Sequence, residues 1–263
     1  MSEVVIVIRE GAIARVTLTR PEVHNAFNAR LIEALHDAFM GLSSEAPDAR
    51  RAVVLAGEGP SFCAGADIAW QRAALALSMT ENQADAARLQ AMLTAIDECP
   101  APVVARVHGV ALGGGMGLCA VADIALAAAG TTFGFTETKL GIMPAVISPF
   151  VLAKIGETHA RALFPTGERF DAERAVRIGL VHEALPDVAA LDERVDRVVH
   201  ELLSAGPTAA RGAKALIRDQ RGLPRGKALE LGVERAARQR VSTEGQEGLI
   251  AFLDKRPASW RHD

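Results

Sequence analysis

The chain has 263 residues and a formal net charge of −3, with hydrophobic residues making up 49%. That length sits near the upper end of what one core supports, so a single domain with an appendage fits better than two full domains, and the near-neutral charge excludes a broad nucleic-acid surface. Cys63, Cys99 and Cys119 lie among apolar or small residues without zinc-site or disulfide spacing, and read as reduced core thiols.

The first eight residues lack a basic leader, which makes a cytoplasmic location the expectation. Residues 107–122 form the longest uncharged stretch; they are rich in glycine and shorter than the roughly 20 apolar residues of a spanning helix, so no membrane anchor is expected. Residues 4–8 and 12–19 are β-rich runs around the turn Arg9-Glu10-Gly11 and predict a hairpin or two successive strands. Asn28 is a plausible N-cap for a helix with Leu31, Ile32, Leu35 and Phe39 on one face. A strand at 52–56 stops at Gly57-Glu58-Gly59-Pro60, and a helix over 84–98 ends at Pro100 and Pro102 before a strand at 103–107. Strands alternating with helices predict α/β layering with parallel strands. Beyond residue 171 the pattern is helical, at 171–177, 191–203, 207–218 and 228–241, with a tight connection at 221–226. The segment 70–92 is expected to shape a ligand pocket, though no conformation can be read from its pattern.

Three short segments carry the chemistry. In SFCAGADI (61–68), Ala64, Gly65 and Ala66 follow a strand and let a ligand approach the backbone. In VHGVALGGGMGLCAVAD (107–123), a strand turns through Gly109 and enters a helix at Gly113, Gly114 and Gly115, where unpaired N–H groups and partial positive charge suit a developing anion. In FGFTETKLGIMPAVISP (133–149), Glu137 is a lone carboxylate in an apolar setting, where its pKa would rise and fit it for acid–base work. Each also has a plain structural reading. Glycine-rich turns before helices are common, Glu137 could be a cap, and Asp67 and Asp123 read by themselves as caps or partners of backbone N–H groups. The spacing is not a dinucleotide fingerprint, and His24, His108 and His182 lack metal-ligand spacing, so no metal is expected.

Together and in order, these segments resemble the crotonase superfamily, the enoyl-CoA hydratase/isomerase family, along nearly the whole chain. The resembling residues are RPEVHNA (20–26), FCAGADI (62–68), HGVALGGGMGL (108–118), FGFTETKLGIMP (133–144), GERFDAERAVRIGLVHE (167–183) and EGLIAFLDKRPASW (247–260). The resemblance implies a crotonase-like α/β core of repeated ββα units over residues 1–190 and a C-terminal helical trimerisation region over 191–263. It implies a homotrimer or dimer of trimers and an acyl-CoA thioester as substrate, with coenzyme A part of that substrate and no separate cofactor. Nucleic acid and membrane are not expected partners. It puts the oxyanion-hole donors on the N–H groups of Ala66 and Gly114 and an acid/base on Glu137. Ala64, Asp67 and Ile68 fall in the CoA-binding stretch, and Phe252 and Lys255 match residues that reach the nucleotide end of CoA from a neighbouring subunit.

One position departs from the family pattern. Two-carboxylate hydratases carry a Glu where this chain has Gly117, so half of the water-binding pair is missing. A single Glu permits hydration of a 2-enoyl thioester and equally permits Δ3-to-Δ2 isomerisation without water. Ala145 stands where dienoyl-CoA isomerases and chlorobenzoyl-CoA dehalogenases use Asp, which disfavours both reactions. PAVISPFV (144–151) with Gly117 is similar to hydratases of 3-methylglutaconyl-CoA or carboxygeranoyl-type thioesters; such a substrate would need a cation, for which Arg72 and Lys139 are near in sequence. A non-catalytic CoA-ester-binding homologue is the reading from another class.

Overall fold

The β-rich runs at the N-terminus form a hairpin: β1 (Val5–Glu10) and β2 (Ile13–Leu18) pair antiparallel, with Glu10 opposite Ile13. Residues 3–261 are described in this computed structural model. The chain continues through α1 (Ala29–Ser43), β3 (Ala52–Gly57), α2 (Ile68–Ala74), α3 (Met79–Asp97), β4 (Val103–Val107), β5 (Val110–Leu112) and α4 (Gly114–Val121). After these come β6 (Ile124–Ala128), β7 (Thr132–Gly134), α5 (Ser148–Thr166), β8 (Arg169–Phe170), α6 (Ala172–Arg177) and β9 (Glu183–Leu185). Four helices follow: α7 (Val188–Ser204), α8 (Pro207–Gln220), α9 (Arg225–Val241) and α10 (Thr243–Leu253).

The main sheet runs β1-β2-β3-β4-β6-β9, parallel from β2 onward, and a small sheet runs β5-β7-β8. Successive units give one strand to each sheet. β4 pairs in the main sheet, the chain kinks at Gly109 (φ +66), and β5 pairs in the small one before α4 begins. Single bridges between Cys63 and Ala111 and between Phe27 and Ala66 extend the small sheet, so the repeated ββα reading holds.

Strands of a parallel sheet are covered on both faces. Val53 and Leu55 point into the larger core with α1, α3 and α4, while Ala52, Val54, Val104 and Leu126 face Leu191, Val195 and Val198 of α7. On α1, Leu31, Ile32, Leu35, Phe39 and Leu42 are buried, each contributing about 1.5–3 kcal/mol, and the Asn28 side chain accepts from the Leu31 N–H as N-cap. Helix α7 starts at Val188 and closes the back of the main sheet, whereas α8, α9 and α10 pack on one another.

The structure departs from the sequence expectation at α3, which starts at Met79, before the predicted residue 84. Ser78 and Glu81 form a capping box there, and the polar turns that follow hide the helical period. Helix α5 contains Pro165 and a break at Gly156 (φ +70), which obscured it in the pattern.

Candidate active site

The RPEVHNA segment is a clamp under the turn at Ala64, Gly65 and Ala66. Asn25 is fully buried in the left-handed region (φ +56), accepts from the Arg20 N–H and donates to the carbonyls of Glu58 and Ser61. Arg20 donates to the Ala26 carbonyl and to Asp67 Oδ2 at 2.7 Å. Asp67 Oδ1 also caps α2, accepting from Ala69 and Trp70. Burial pushes the Asp67 carboxyl up, but the Arg20 guanidinium and the two N–H groups outweigh it and hold the pKa below its ordinary value. This carboxylate, which the resemblance put in the CoA-binding stretch, is thus spent on the clamp.

Above the clamp, Gly65 (φ +91) brings the first turn against the second. A Cβ on Gly65 would stand 2.8 Å from the Leu112 carbonyl oxygen and 3.5 Å from the Gly114 nitrogen. The Ala66 N–H lies between the hydrogen bonds Phe27 N–H to Gly65 O and Asp67 N–H to Phe27 O, and among the described residues it donates to no carbonyl. Gly114 opens α4, where the first N–H groups have no intrahelical acceptor. Two free main-chain donors therefore sit side by side at the positive end of a helix.

Glu137 comes from the short 3-10 turn Thr136–Leu140. Phe135 anchors that turn in the core, edge-on to Phe164 at 4.8 Å between ring centroids, and the Thr138 hydroxyl donates to the Phe164 carbonyl at 3.0 Å. A Cβ on Gly113 would lie 3.3 Å from Glu137 Oε1, so the carboxylate stands over the glycine run. Glu137 Oε2 is buried without a hydrogen-bond partner, and burial raises the pKa.

Ala64, Ala66, Gly114 and Glu137 line one cavity of about 290 Å³. Asp67 and Ile68 do not; Ile68 is 87% exposed at the start of α2. Phe252, 78% exposed on α10, and Lys255 also lie outside the cavity of their own chain. Arg72 and Lys139 are exposed and line nothing in it.

Gly117 is filled in by an apolar neighbour. A Cβ there would meet Ile147 Cγ2 at 2.6 Å and Leu93 Cδ2 at 3.5 Å, so an acidic side chain at 117 has no room while Ile147 keeps its place. The segment 70–92 lines the cavity as expected, through Trp70, Gln71, Asp85 and Leu89 among others, but sequence reasoning singled out neither Gln71 nor Asp85 within it and missed Ile147. Asp85 in a helical stretch reads as one more solvated charge, and no pattern marks the other two.

The remaining titratable groups have structural tasks. His24 bonds Ser61, and His108 bonds Gly59 and Arg106. Asp123 accepts from the Val103 N–H and from Lys214. The cysteines are free and buried, and burial pushes the thiols of Cys63 and Cys119 up to about 12. Among the described residues, no group of three or more His, Cys, Asp and Glu side chains is placed to hold a metal, and no helix is long and apolar enough to cross a membrane.

Two sheets of repeated ββα units, with a glycine-bearing turn at each of two strand ends, define a crotonase-fold α/β protein. The enoyl-CoA hydratase/isomerase family model matches residues 9–263, and the chain belongs to that family. A probable enoyl-CoA hydratase of Rhodobacter capsulatus is 37% identical over 95% of this chain and 94% of its own length. A crotonyl-CoA hydratase of Syntrophomonas wolfei is 30% identical over 98% of each chain. The crystal structure of an enoyl-CoA hydratase from Shewanella pealeana superposes with a TM-score of 0.92 at 34% identity, covering 98% of this chain and 96% of that one.

Proposed function

We propose that this chain is a 2-enoyl-CoA hydratase working with one carboxylate. The observation that carries the reading is that the Glu137 carboxylate, whose Oε2 is buried without a hydrogen-bond partner, shares a cavity with the N–H groups of Ala66 and Gly114. The thioester oxygen accepts from both N–H groups. Glu137 takes a proton from water as the water oxygen attacks C3, and the C2=C3 electron pair moves into the enolate. Glu137 then returns the proton to C2, so that H and OH are added and nothing is oxidised. Both donors tighten as charge grows on the thioester oxygen, and losing one costs about 3 kcal/mol in barrier. Relatives named as hydratases point the same way.

Isomerisation is the second reading, and one observation favours it: Ile147 dries the place where a second carboxylate would hold water. Glu137 would then carry a proton between C2 and C4. A 3-methylglutaconyl or carboxygeranoyl-type thioester fits less well, because Lys, Arg and His are lacking among the cavity's lining residues. A hydrocarbon branch at C3 meets no such objection.

Exposed Leu229, Val233, Leu249 and Leu253 on α9 and α10 support a homotrimer or dimer of trimers. In such an assembly Phe252 and Lys255 would meet the adenine and phosphates of CoA held by a neighbour.

The test is to follow conjugated enoyl absorbance with trans-2-hexenoyl-CoA and trans-3-hexenoyl-CoA. Loss with the first supports hydratase, and gain with the second alone supports isomerase. Binding of both without change would leave the non-catalytic CoA-ester binder.

A further inference from the structure

Beyond Glu137 the cavity runs along α3, where Asp85, Ala86 and Leu89 line it. Leu93, one turn past Leu89, touches the space over Gly117. Asp85 lies eight residues before Leu93, about 12 Å along the helix axis at 1.5 Å per residue, so along α3 it is well separated from the wall over Gly117.

Asp85 is 8% exposed, although it sits in the polar first turns of α3. Its Oδ1 accepts from Arg88 Nη2 at 2.6 Å, and the Arg88 side chain is 59% exposed and outside the cavity lining. The guanidinium thus meets the carboxylate from the solvent side while the carboxylate borders the cavity. The other charged lining residue is Glu137, also acidic, and the rest of the wall is neutral, with Trp70, Ala74 and Leu89 apolar and Gln71 an amide.

On the acyl-thioester reading of this cavity, we infer that Asp85 sets the substrate class: acyl groups uncharged at their far end are accepted, and monothioesters of dicarboxylic acids are rejected. A hydrocarbon end loses only water on entering. A distal carboxylate loses its hydration and meets a like charge where screening by salt is weak. Selection of this kind works by a repulsive element built against the wrong ligand.

The test uses saturated thioesters, which bind without reacting, and so stands apart from the question of hydratase activity. Titration calorimetry compares hexanoyl-CoA and octanoyl-CoA with adipoyl-CoA and suberoyl-CoA. Wild type is expected to prefer the hydrocarbon esters by about tenfold or more, and Asp85→Asn to shrink that preference to about twofold while the hydrocarbon affinities stay put. Equal or tighter binding of the dicarboxylic esters by wild type overturns the inference without any variant. A preference unchanged in folded Asp85→Asn also overturns it, as does a loss confined to the dicarboxylic esters in Arg88→Gln, which would make Arg88 a carboxylate receptor. Failure of all four esters to bind defeats the acyl-thioester reading itself.

Discussion

The end of the cavity near Glu137 is walled largely by main chain, and the end near Asp85 by side chains. Ala66 and Gly114 offer N–H groups from turns fixed by Gly65, Gly113 and the Asn25 clamp, and a Cβ on Gly114 would strike Phe27 Cε2 at 2.5 Å. At the far end, Gln71 and Asp85 come from the faces of two helices, where a substitution other than proline keeps the main-chain hydrogen bonds. The proposed chemistry is therefore built into the fold, while substrate selection sits where substitution is cheap. Perturbing the first end should cost rate, and perturbing the second should change which ligands bind.

The largest expected effect is at Glu137. Glu137→Gln keeps the shape and removes the proton carrier, so kcat should fall by about a thousandfold or more while hexanoyl-CoA affinity stays within about threefold. Retention of a tenth of the wild-type kcat would remove Glu137 from the mechanism.

Next comes the donor end. Gly114→Ala drives a methyl into the Phe27 ring, which is 1% exposed and has little room to yield. The expected loss is about a hundredfold in kcat through a displaced N–H. Phe27→Leu on that background should recover part of the rate, since the two sites share one contact. Additive losses in the double variant would show that the collision is not what moves the donor.

Smaller, and read as stability, is the effect at Gly117. Gly117→Glu overpacks against Ile147 by about 1–3 kcal/mol and buries an unpaired carboxylate besides, so melting should drop by roughly 5–10 °C. Ile147→Ala on that background opens the space and should recover most of the drop. A single variant as stable as wild type would mean the apolar wall gives way easily.

The same division explains what could be read in advance. Backbone chemistry leaves a trace in sequence because glycine is demanded by positive φ at 65 and 113 and by close approach at 114 and 117. The Asn28 cap and the α1 stripe were legible for similar local reasons. At the far end only the segment 70–92 as a whole was legible, and not the residues within it that face the cavity. Asp85 looks like an ordinary helix-surface charge until the fold turns that face of α3 inward, and Ile147 becomes a wall only because it meets Gly117, 30 residues away in sequence. Phe252 and Lys255 enter only through the resemblance, and they lie outside the cavity of their own chain.

The smallest expected effect separates the two ends by pH. Burial raises the folded-state pKa of Glu137 above its ordinary value, so the protonated form is favoured on folding. Its contribution to stability is full below the ordinary carboxyl pKa and is lost as pH rises through the raised one. At pH 8, Glu137→Gln should therefore melt higher than wild type by about one to three degrees, with the difference vanishing near pH 4. Catalysis moves in the opposite sense, because the ionised form is the base: wild-type kcat/KM should fall as pH drops through that same raised pKa. Asp85→Asn should leave this limb in place, since burial and not Asp85 is what raises the Glu137 pKa. A limb that moved with Asp85→Asn would couple the two ends and break the division between them, and a Glu137→Gln variant that melted lower at pH 8 would mean that the buried carboxylate has a partner in solution.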